Sequence, residues 1–386
     1  MPKTSSRPES ALQLFIIVTG VALLLRALQV VFQQADPLFY NPLGGNLSYL
    51  LMGERIAGGE WLPLDGRPFS VSSPLYPWIA GIVFRLVGES DPGALRMAGA
   101  GADALMCGLL SLLALRRFGR GPAWATGLLA AGYAPFLYFS TELAPVPFTL
   151  LLLVAGLLVI DIGLTRAWLT RPFLRMAGLL VGGAVLLGLA VGTRPNLLLG
   201  LVFVPLLPWA VGRSLGASSS LTGPPHSPEA ESASHTGPQA RRQRFGQSLL
   251  LLAGLSLGIA PVPLMNWVSS GQAVLLTTGA GHNFYIGHNP MAQPQYSLPL
   301  PLDGDIFESM KSLAESETGR AMADSEVSGW YLRRAVAEIR ADPVREVHLL
   351  YGRILSSVND FEATTSGSFE YQQYWSPSSD GSLPLR

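Results

Sequence analysis

The sequence has little charge: Asp, Glu, Lys and Arg make up 13% of its 386 residues. A water-soluble domain carries about twice that fraction. Since 49% of the residues are hydrophobic, the composition predicts an integral membrane protein. The 26 basic and 26 acidic residues balance, so nothing suggests a nucleic-acid partner, and the placement of the charges is more informative than their sum.

Cysteine is nearly absent as well. The single one, Cys107, excludes an intrachain disulfide, and its apolar surroundings indicate a packed core residue rather than a reactive thiol. A cleavable signal peptide is also missing from the N-terminal region. Apolar residues 11–32 are long enough to span a membrane and lack a clean small-residue cleavage site, so we expect a retained helix.

Long hydrophobic runs, by contrast, are frequent. A membrane-spanning helix needs about 20 apolar residues. The candidate spans are 11–33, 97–115, 122–140, 144–164, 176–193, 196–212 and 247–267. We therefore predict an all-α multi-pass membrane protein with a tail at 1–10, six spans within 11–212, a seventh span at 247–267, and a final segment at 268–386.

The basic residues predict the orientation of these spans. They cluster before the first span, between the second and third, between the fourth and fifth, and around the linker before the seventh. All four clusters fall on one side, which the positive-inside rule makes cytoplasmic. We expect the chain in the inner (plasma) membrane, with the N-terminus in the cytoplasm and loop 34–95 and segment 268–386 outside it.

The segments between the spans have distinct compositions. Residues 213–246 are rich in Ser, Gly and Pro and poor in large apolar residues, which predicts a disordered cytoplasmic linker. In the first outer loop, the apolar stretch 74–87 is interrupted by Arg85 and predicts an interfacial helix.

The final segment carries helix signals and turn signals. Glycines and an Asn-Pro pair in 275–290 predict tight turns rather than a helix. Apolar residues at helical spacing predict a helix over 325–340. A further helix should begin at Pro343, with Asp342 as its N-cap, and run to about residue 358.

Several short motifs follow one another along the chain. In order they are Tyr49, Arg-Ile-Ala-Gly-Gly-Glu at 55–60, Ser-Pro-Leu-Tyr-Pro at 73–77, Arg96, Arg-Arg-Phe-Gly-Arg at 116–120, Tyr-Phe-Ser-Thr-Glu at 138–142, Gly-Thr-Arg-Pro at 192–195, Asn-Phe-Tyr-Ile-Gly-His-Asn-Pro at 283–290, and then Arg353, Asn359 and Glu362. With the predicted topology, this order resembles the GT-C class of polyprenyl-phosphate-sugar glycosyltransferases, in the branch with protein O-mannosyltransferases and the lipid A aminoarabinose transferase. The resemblance covers nearly the whole chain and lies in the order of individually weak motifs.

The resemblance implies a GT-C-type transmembrane bundle with interfacial helices in the first outer loop. It implies transfer of a hexose or pentose from a polyprenyl-phosphate carrier to a lipid, glycan or protein acceptor on the extracytoplasmic face, with inversion. The resemblance implies no certain cofactor and leaves open whether the reaction requires a divalent metal ion. Relatives usually continue into further spans, so one interpretation is that the chain is a truncated product or fragment.

The family usually places an Asp in the first outer loop, about four residues before the tyrosine, as the base for the acceptor hydroxyl. Gly45 stands at that position and Asn46 follows it, and neither side chain accepts a proton at neutral pH. Two interpretations remain. Either this is an inactive homologue that binds a lipid-linked sugar or a partner, or Asp36, Glu54 or Asp65 supplies the acid.

Two of the carboxylates in or beside the spans, Glu142 and Asp103, are candidates for a specific role. Glu142 follows the third span, matches the family's second acidic position and is the first choice for the catalytic base; an interfacial acid that ends a helix is the alternative. Asp103 falls inside the second span, where an ionised carboxylate is costly, and a hydrogen bond to a neighbouring helix is its expected role. A transporter is the less favoured class, because we see no internal repeat and Asp103 alone does not support one.

A phosphate-linked donor needs cations at the outer interface. Arg96, Arg194 and Arg353 are the candidates. Arg194 is the best candidate, because a basic residue at an outer helix end is contrary to the positive-inside rule and needs a specific explanation. The alternative is that its side chain snorkels to a lipid phosphate.

The remaining substrate-binding candidates come from the first loop and the final segment. They are Asn46, Tyr49, His282, Asn283, Tyr285, Asn289 and Glu362. His282 and His288 are six residues apart without a tight His-x-x-His spacing, so we predict hydrogen bonding or loop packing for them and assign no metal ligand.

Overall fold

The structure, a computed structural model, describes residues 8–40, 45–62, 64–70, 73–166, 173–210, 237–294 and 306–356. This part of the chain is helical and has no strand, which confirms the predicted all-α class. It divides into two compact units. The bundle unit contains residues 1–30 and 95–261, and the loop unit contains residues 31–94 and 262–386.

The helices of the described residues are numbered in chain order. They are α1 (Pro8–Gln33), α2 (Gly45–Ala57), α3 (Tyr76–Val87), α4 (Pro92–Phe118), α5 (Arg120–Gly132), α6 (Ala134–Thr141), α7 (Val146–Arg166), α8 (Phe173–Thr193), α9 (Leu198–Leu201), α10 (Pro238–Ile259), α11 (Pro261–Ser270), α12 (Gly279–His288), α13 (Ile306–Thr318), α14 (Asp324–Ala341) and α15 (Pro343–Ser356). Among the described residues, five stretches are long and apolar enough to cross a membrane: Ala11–Gln33, Pro92–Phe118, Val146–Thr165, Phe173–Thr193 and Pro238–Ser270, the last comprising α10 and α11.

Glycines bring the helices of the bundle unit close together. A Cβ on Gly156 of α7 would lie 2.8 Å from the carbonyl oxygen of Gly183 in α8. A Cβ on Gly188 would lie 2.7 Å from the Cα of Gly258 in α10, and Gly254 approaches α8 as closely one turn earlier. Lipid supplies little hydrophobic drive for helices to associate, so close backbone packing at small residues is the expected source of contact.

Two of the predicted spans are interrupted. Residues 122–140 form α5 and α6, which are separated at Tyr133 because Pro135 stands in the first turn of α6 and has no N–H to continue the earlier helix. The predicted span 196–212 corresponds to a shorter apolar helical stretch, Pro195–Ala210, and residues 211 and 212 lie outside the described residues. Crossing of the membrane by these two stretches stays a prediction.

The linker prediction is wrong for its last nine residues. Helix α10 begins at Pro238, so residues 238–246 are helical rather than disordered. Proline suits the first helical position, and Gln and Arg are good helix formers that continue into the apolar run. Residues 213–236 of the predicted linker lie outside the described residues.

The loop unit joins two segments that are about 200 residues apart in sequence. Asn266 is fully buried in α11; its Oδ1 accepts the N–H of Phe69 at 2.8 Å, and its Nδ2 donates to the carbonyls of Val274 and Leu276 at 3.0 Å each. The N–H of Thr278 donates to the carbonyl of Phe69 at 2.8 Å. One amide side chain thus holds the first loop against the segment after the last span.

The prediction of tight turns over 275–290 is wrong, because residues 279–288 form α12. Its glycines serve close packing instead. A Cβ on Gly279 would lie 2.7 Å from the carbonyl oxygen of Ser70, and one on Gly281 would lie 1.9 Å from that of Ser328 in α14. The Asn289-Pro290 pair ends the helix.

The other helices of the loop unit match their predictions. Helix α14 covers the predicted 325–340 stretch and buries Val327 and Tyr331. Helix α15 begins at Pro343, and Asp342 caps it by accepting the N–H of Arg345 at 2.9 Å. The expected last residues 357 and 358 lie outside the described residues. Helix α3 is the short helix predicted at 74–87, and its place at a membrane interface stays a prediction.

Candidate functional site

Arg96 and Glu142 meet where α4 passes the end of α6. Glu142 is half-buried and takes an extended conformation directly after Thr141, the last residue of α6. The Nη1 of Arg96, a residue only 5% exposed, donates to the carbonyl of Thr141 at 2.5 Å. A Cβ on Gly99 would lie 2.8 Å from the carbonyl oxygen of Ser140, so glycine permits this contact. A buried guanidinium thereby lies one residue from the predicted base.

Arg194 lies at the same end of the bundle unit. The hydroxyls of Thr149 in α7 and Thr193 in α8 are 2.9 Å apart, and Thr149 Oγ1 is 2.8 Å from the carbonyl oxygen of Pro145. These contacts place the start of α7 level with the end of α8. Glu142 precedes Pro145 by three residues and Arg194 follows Thr193 directly, so both belong to this end.

The Arg194 side chain, like that of Arg120, is unpaired in the described part of the chain, but Arg120 is exposed. Arg194 is half-buried, and within the described ranges its guanidinium makes no hydrogen bond or ion pair, while its backbone N–H donates to Ala190 at 2.9 Å. We call Arg96, Glu142 and Arg194 the rim cluster. Guanidinium groups bind phosphate through charge-assisted hydrogen bonds, and a carboxylate can accept a hydroxyl proton, so the cluster combines the two groups that phosphate-leaving chemistry needs.

The other acid candidates belong to the loop unit. Asp36 Oδ1 accepts the N–H of Leu38 at 2.8 Å, which is a turn-forming contact directly after α1. Glu54 is half-buried on α2, and its carboxylate contacts no hydrogen-bond donor in the part of the chain that the structure describes. Asp65 accepts two hydrogen bonds from Arg55, at 2.6 and 3.0 Å, and these lower its carboxyl pKa and make it a poorer base.

The first-loop binding candidates lie on α2. Asn46 is its second residue and is half-buried. Tyr49 is 8% exposed and packs edge-to-face on Tyr76 of α3, with ring centroids 5.2 Å apart. Of these two side chains, Asn46 is the more accessible to a ligand.

Most of the α12 candidates are packed inside the loop unit. His282 is 4% exposed; its Nδ1 lies 3.1 Å from the carbonyl oxygen of Thr278, and burial lowers its pKa and favours the neutral ring. Tyr285 packs on Tyr331 with centroids 5.0 Å apart, and burial raises its pKa. Both side chains therefore act mainly as core residues in this structure.

The end of α12 is held by caps. The Asn289 amide donates to the carbonyls of Tyr285 and Ile286 at 3.1 and 2.8 Å and accepts the N–H of Met291 at 2.8 Å. Arg353 donates to the carbonyl of Gly287. Asn283 is exposed on the opposite face of the helix. Glu362 lies outside the described residues.

The sequence interpretation missed one partner of an identified residue. Asp103 is hydrogen-bonded as predicted, and the donor is Arg26 Nε in α1, 2.5 Å from Asp103 Oδ2. Arg26 is fully buried and also donates to the carbonyls of Ala22 and Ala131 at 3.1 and 3.0 Å. A lone arginine within the first predicted span was the available signal. We call Arg26, Asp103 and the Ala131 carbonyl the core cluster.

Two further sources of information on function are a group of metal ligands and a similarity to known proteins. Within the described ranges, no group of three or more His, Cys, Asp or Glu side chains could hold a metal ion. No family model matches this chain, and no curated protein or solved structure matches it.

Proposed function

We propose that this chain is a membrane glycosyltransferase of the GT-C type. It would move one sugar from a polyprenyl-phosphate carrier to an acceptor hydroxyl on the extracytoplasmic face of the plasma membrane. The observation that carries the proposal is the rim cluster, in which Arg194 offers an uncommitted guanidinium at the end of the bundle unit that also contains Glu142 and Arg96.

In the proposed reaction, the carboxylate of Glu142 acts as the base and the guanidinium of Arg194 binds the leaving phosphate. Glu142 takes the proton of the acceptor hydroxyl as the acceptor oxygen forms a bond to the anomeric carbon. The bond from that carbon to the phosphate oxygen breaks, and the electron pair leaves with the lipid phosphate. Arg194 stabilises the charge that develops on this phosphate, because a guanidinium donates two parallel hydrogen bonds to it. Attack opposite the leaving group inverts the anomeric carbon.

Arg96 has a supporting role in this mechanism. It is almost fully buried and donates to the carbonyl of Thr141, so it positions the residue next to Glu142 while adding positive charge nearby. Asn46 and Asn283 are the accessible binding candidates of the loop unit, and a role for them in sugar binding stays a prediction. Arg353 would have to leave the Gly287 carbonyl before it could bind a phosphate.

Binding without turnover is the second candidate function. It is favoured by Gly45, which begins α2 at the position where the family carries its first-loop Asp. In such a protein the rim cluster would still hold a lipid-linked sugar, for delivery to a partner.

A turnover assay distinguishes the two functions. The full chain in lipid nanodiscs is incubated with undecaprenyl phosphates carrying radiolabelled mannose, glucose or arabinose, and transfer of the sugar to water, which replaces the acceptor hydroxyl in this assay, is followed. We expect Glu142→Gln to lower the turnover rate by about 10²–10⁴-fold, the usual contribution of a general base. Glu54→Gln and Asp36→Asn are the matched controls and should keep the wild-type rate.

Three outcomes decide between the functions. Unchanged turnover in Glu142→Gln would reject Glu142 as the base, and loss in a control variant would assign the base to that residue instead. Saturable binding of the lipid-linked sugar without turnover in the wild type would favour the binding protein. Absence of both binding and turnover across the panel would overturn the proposal.

A further inference from the structure

Helix α15 exposes a continuous apolar face. Val344, Val347, Leu350, Tyr351 and Ile354 are between 55% and 66% exposed. Residues three, four and seven positions apart share one side of a helix, so these five side chains form a single stripe. We call this stripe the α15 face. Exposed apolar residues are ordinary when scattered, but a contiguous row of large ones indicates a contact surface.

The charged side of α15 faces inward. Arg345 donates to the carbonyl of His288 at 3.1 Å, and Arg353 donates to that of Gly287. Glu346 Oε2 lies 2.7 Å from His288 Nδ1, and Arg345 donates to Glu346 Oε1 at 2.7 Å. The two arginines satisfy carbonyls at the C-terminus of α12, which have no partner within their own helix and sit at the negative end of its dipole.

The preceding helix has the opposite orientation. Helix α14 buries Val327, Tyr331 and Ala335, and exposes Arg333 and Arg340. That is the usual arrangement of a helix that faces water. The polar side of helix α15 therefore contacts protein, while its apolar side is exposed. Exposure of that apolar side to water is unfavourable, so an apolar partner is expected to cover it.

We propose that the α15 face lies on the lipid bilayer, with α15 parallel to the membrane surface. The helix has 14 residues, or about 21 Å of length, which is too short to cross a hydrocarbon core of about 30 Å. Tyr351 in the stripe suits the interfacial region, where its ring meets acyl chains and its hydroxyl meets headgroups.

The same unit contains part of a candidate membrane span. Residues 262–270 of the loop unit complete the Pro238–Ser270 span candidate, and there Leu264, Trp267 and Val268 are 59–62% exposed. A bilayer that this span crosses would be an apolar partner within reach of the same unit. Because α15 holds the C-terminus of α12, contact of the α15 face with lipid would keep α12 at headgroup level.

Quenching by spin-labelled lipids tests this contact. Val347→Cys and Ile354→Cys are labelled with the fluorophore NBD in the full chain and placed in phosphatidylcholine/phosphatidylglycerol nanodiscs. Native Cys107 is buried and stays unlabelled. An interfacial helix buries its apolar face about 5–10 Å into the acyl boundary, so lipids with a nitroxide at acyl carbon 5 should lower emission from both sites about twofold or more.

The matched control is Ser316→Cys, an exposed position on α13 in the same unit. Its emission should be that of a label in water and should not respond to the nitroxide lipids. Labelled variants with wild-type unfolding temperatures exclude misfolding as the cause of any difference.

Several results would overturn the proposal. Labels at 347 and 354 that behave like the label at 316 would show that the face meets water. Blue-shifted emission without quenching by lipid would mean that another part of the chain covers it. Disulfide-linked dimers through Cys at 347, without lipid quenching, would show that the occupant is a second copy of the chain.

Discussion

The core cluster and the rim cluster both combine arginine with a carboxylate, but they differ in how far these side chains are buried and paired. In the core cluster, Arg26 is 0% and Asp103 1% exposed; Arg26 donates to Asp103 and also to the carbonyl of Ala131 at the end of α5. In the rim cluster, Glu142 and Arg194 are half-buried, and the Arg194 guanidinium has no partner among the described residues. Charge that is satisfied inside the bundle contributes to its assembly, whereas the Arg194 guanidinium, which makes no hydrogen bond to the described residues, is suited to a ligand.

The core cluster also explains how the bundle unit tolerates an interrupted helix. Helix α5 ends at Gly132 because α6 starts anew with Pro135 in its first turn, and of its last carbonyls that of Ala130 accepts the N–H of Tyr133 at 3.4 Å. Arg26 reaches the carbonyls of Ala131 and, at 3.4 Å, Ala130. Polar backbone within a membrane must be satisfied by protein, so the arginine acts as a C-terminal cap for α5.

The largest expected effect comes from breaking the core cluster. Asp103→Leu leaves Arg26 buried without its counter-ion, and we expect it to lower the free energy of unfolding by about 3–5 kcal/mol. Denaturation of the purified chain in mixed micelles measures this. The double variant Arg26→Leu/Asp103→Leu should recover part of the loss, but not all of it, because the α5 carbonyls lose their donor. A stable Asp103→Leu protein would contradict a structural role for the pair.

A substitution in the rim cluster should change stability less than one in the core cluster, and should instead weaken ligand binding. Arg194→Gln should weaken binding of undecaprenyl phosphate about 10- to 100-fold, as expected for loss of a charge-assisted hydrogen bond worth about 1.5–3 kcal/mol. Its free energy of unfolding should stay within about 0.5 kcal/mol of wild type.

The control for Arg194 is an exposed arginine at the start of α5. Arg120→Gln removes the same charge and should leave binding unchanged. Equal weakening in both variants, measured by equilibrium binding in nanodiscs, would mean that overall charge and not the rim cluster attracts the phosphate.

The smallest change in stability is expected for an ion pair in the loop unit that is partly exposed to solvent. Arg67 holds both carboxylate oxygens of Asp324, at 2.8 and 2.9 Å. Burial raises the pKa of Asp324, but hydrogen bonds from Arg67 and Lys311 outweigh it and lower the pKa overall. Arg67 is 45% exposed, so solvent limits the cost of Arg67→Gln to about 1 kcal/mol.

The sign of the pH dependence follows from the lowered pKa. The stabilisation from Asp324 is fully present above the ordinary Asp pKa of about 4 and is lost as the pH falls through the lower value of the folded state. Thermal unfolding between pH 7 and pH 3 should therefore show a difference between wild type and Arg67→Gln that is constant near neutrality and narrows in acid. A difference that is independent of pH would contradict this assignment.

Local signals in the sequence determined much of this protein. Apolar runs of sufficient length identified all five stretches able to cross a membrane, the Asp342-Pro343 pair marked the start of α15, and the position of Asp103 within a span predicted its need for a donor. These features depend on hydropathy, capping and burial cost along a few consecutive residues, so they can be derived without knowing the partners.

Tertiary structure decided the rest. Only packing could select Arg26 as the partner of Asp103 from 77 residues away, turn the glycines of 279–281 into contacts of a helix rather than turns, and direct the charged side of α15 toward α12. Composition records how much polar and apolar surface a segment carries. The direction each surface faces depends on the neighbours that the fold brings to it.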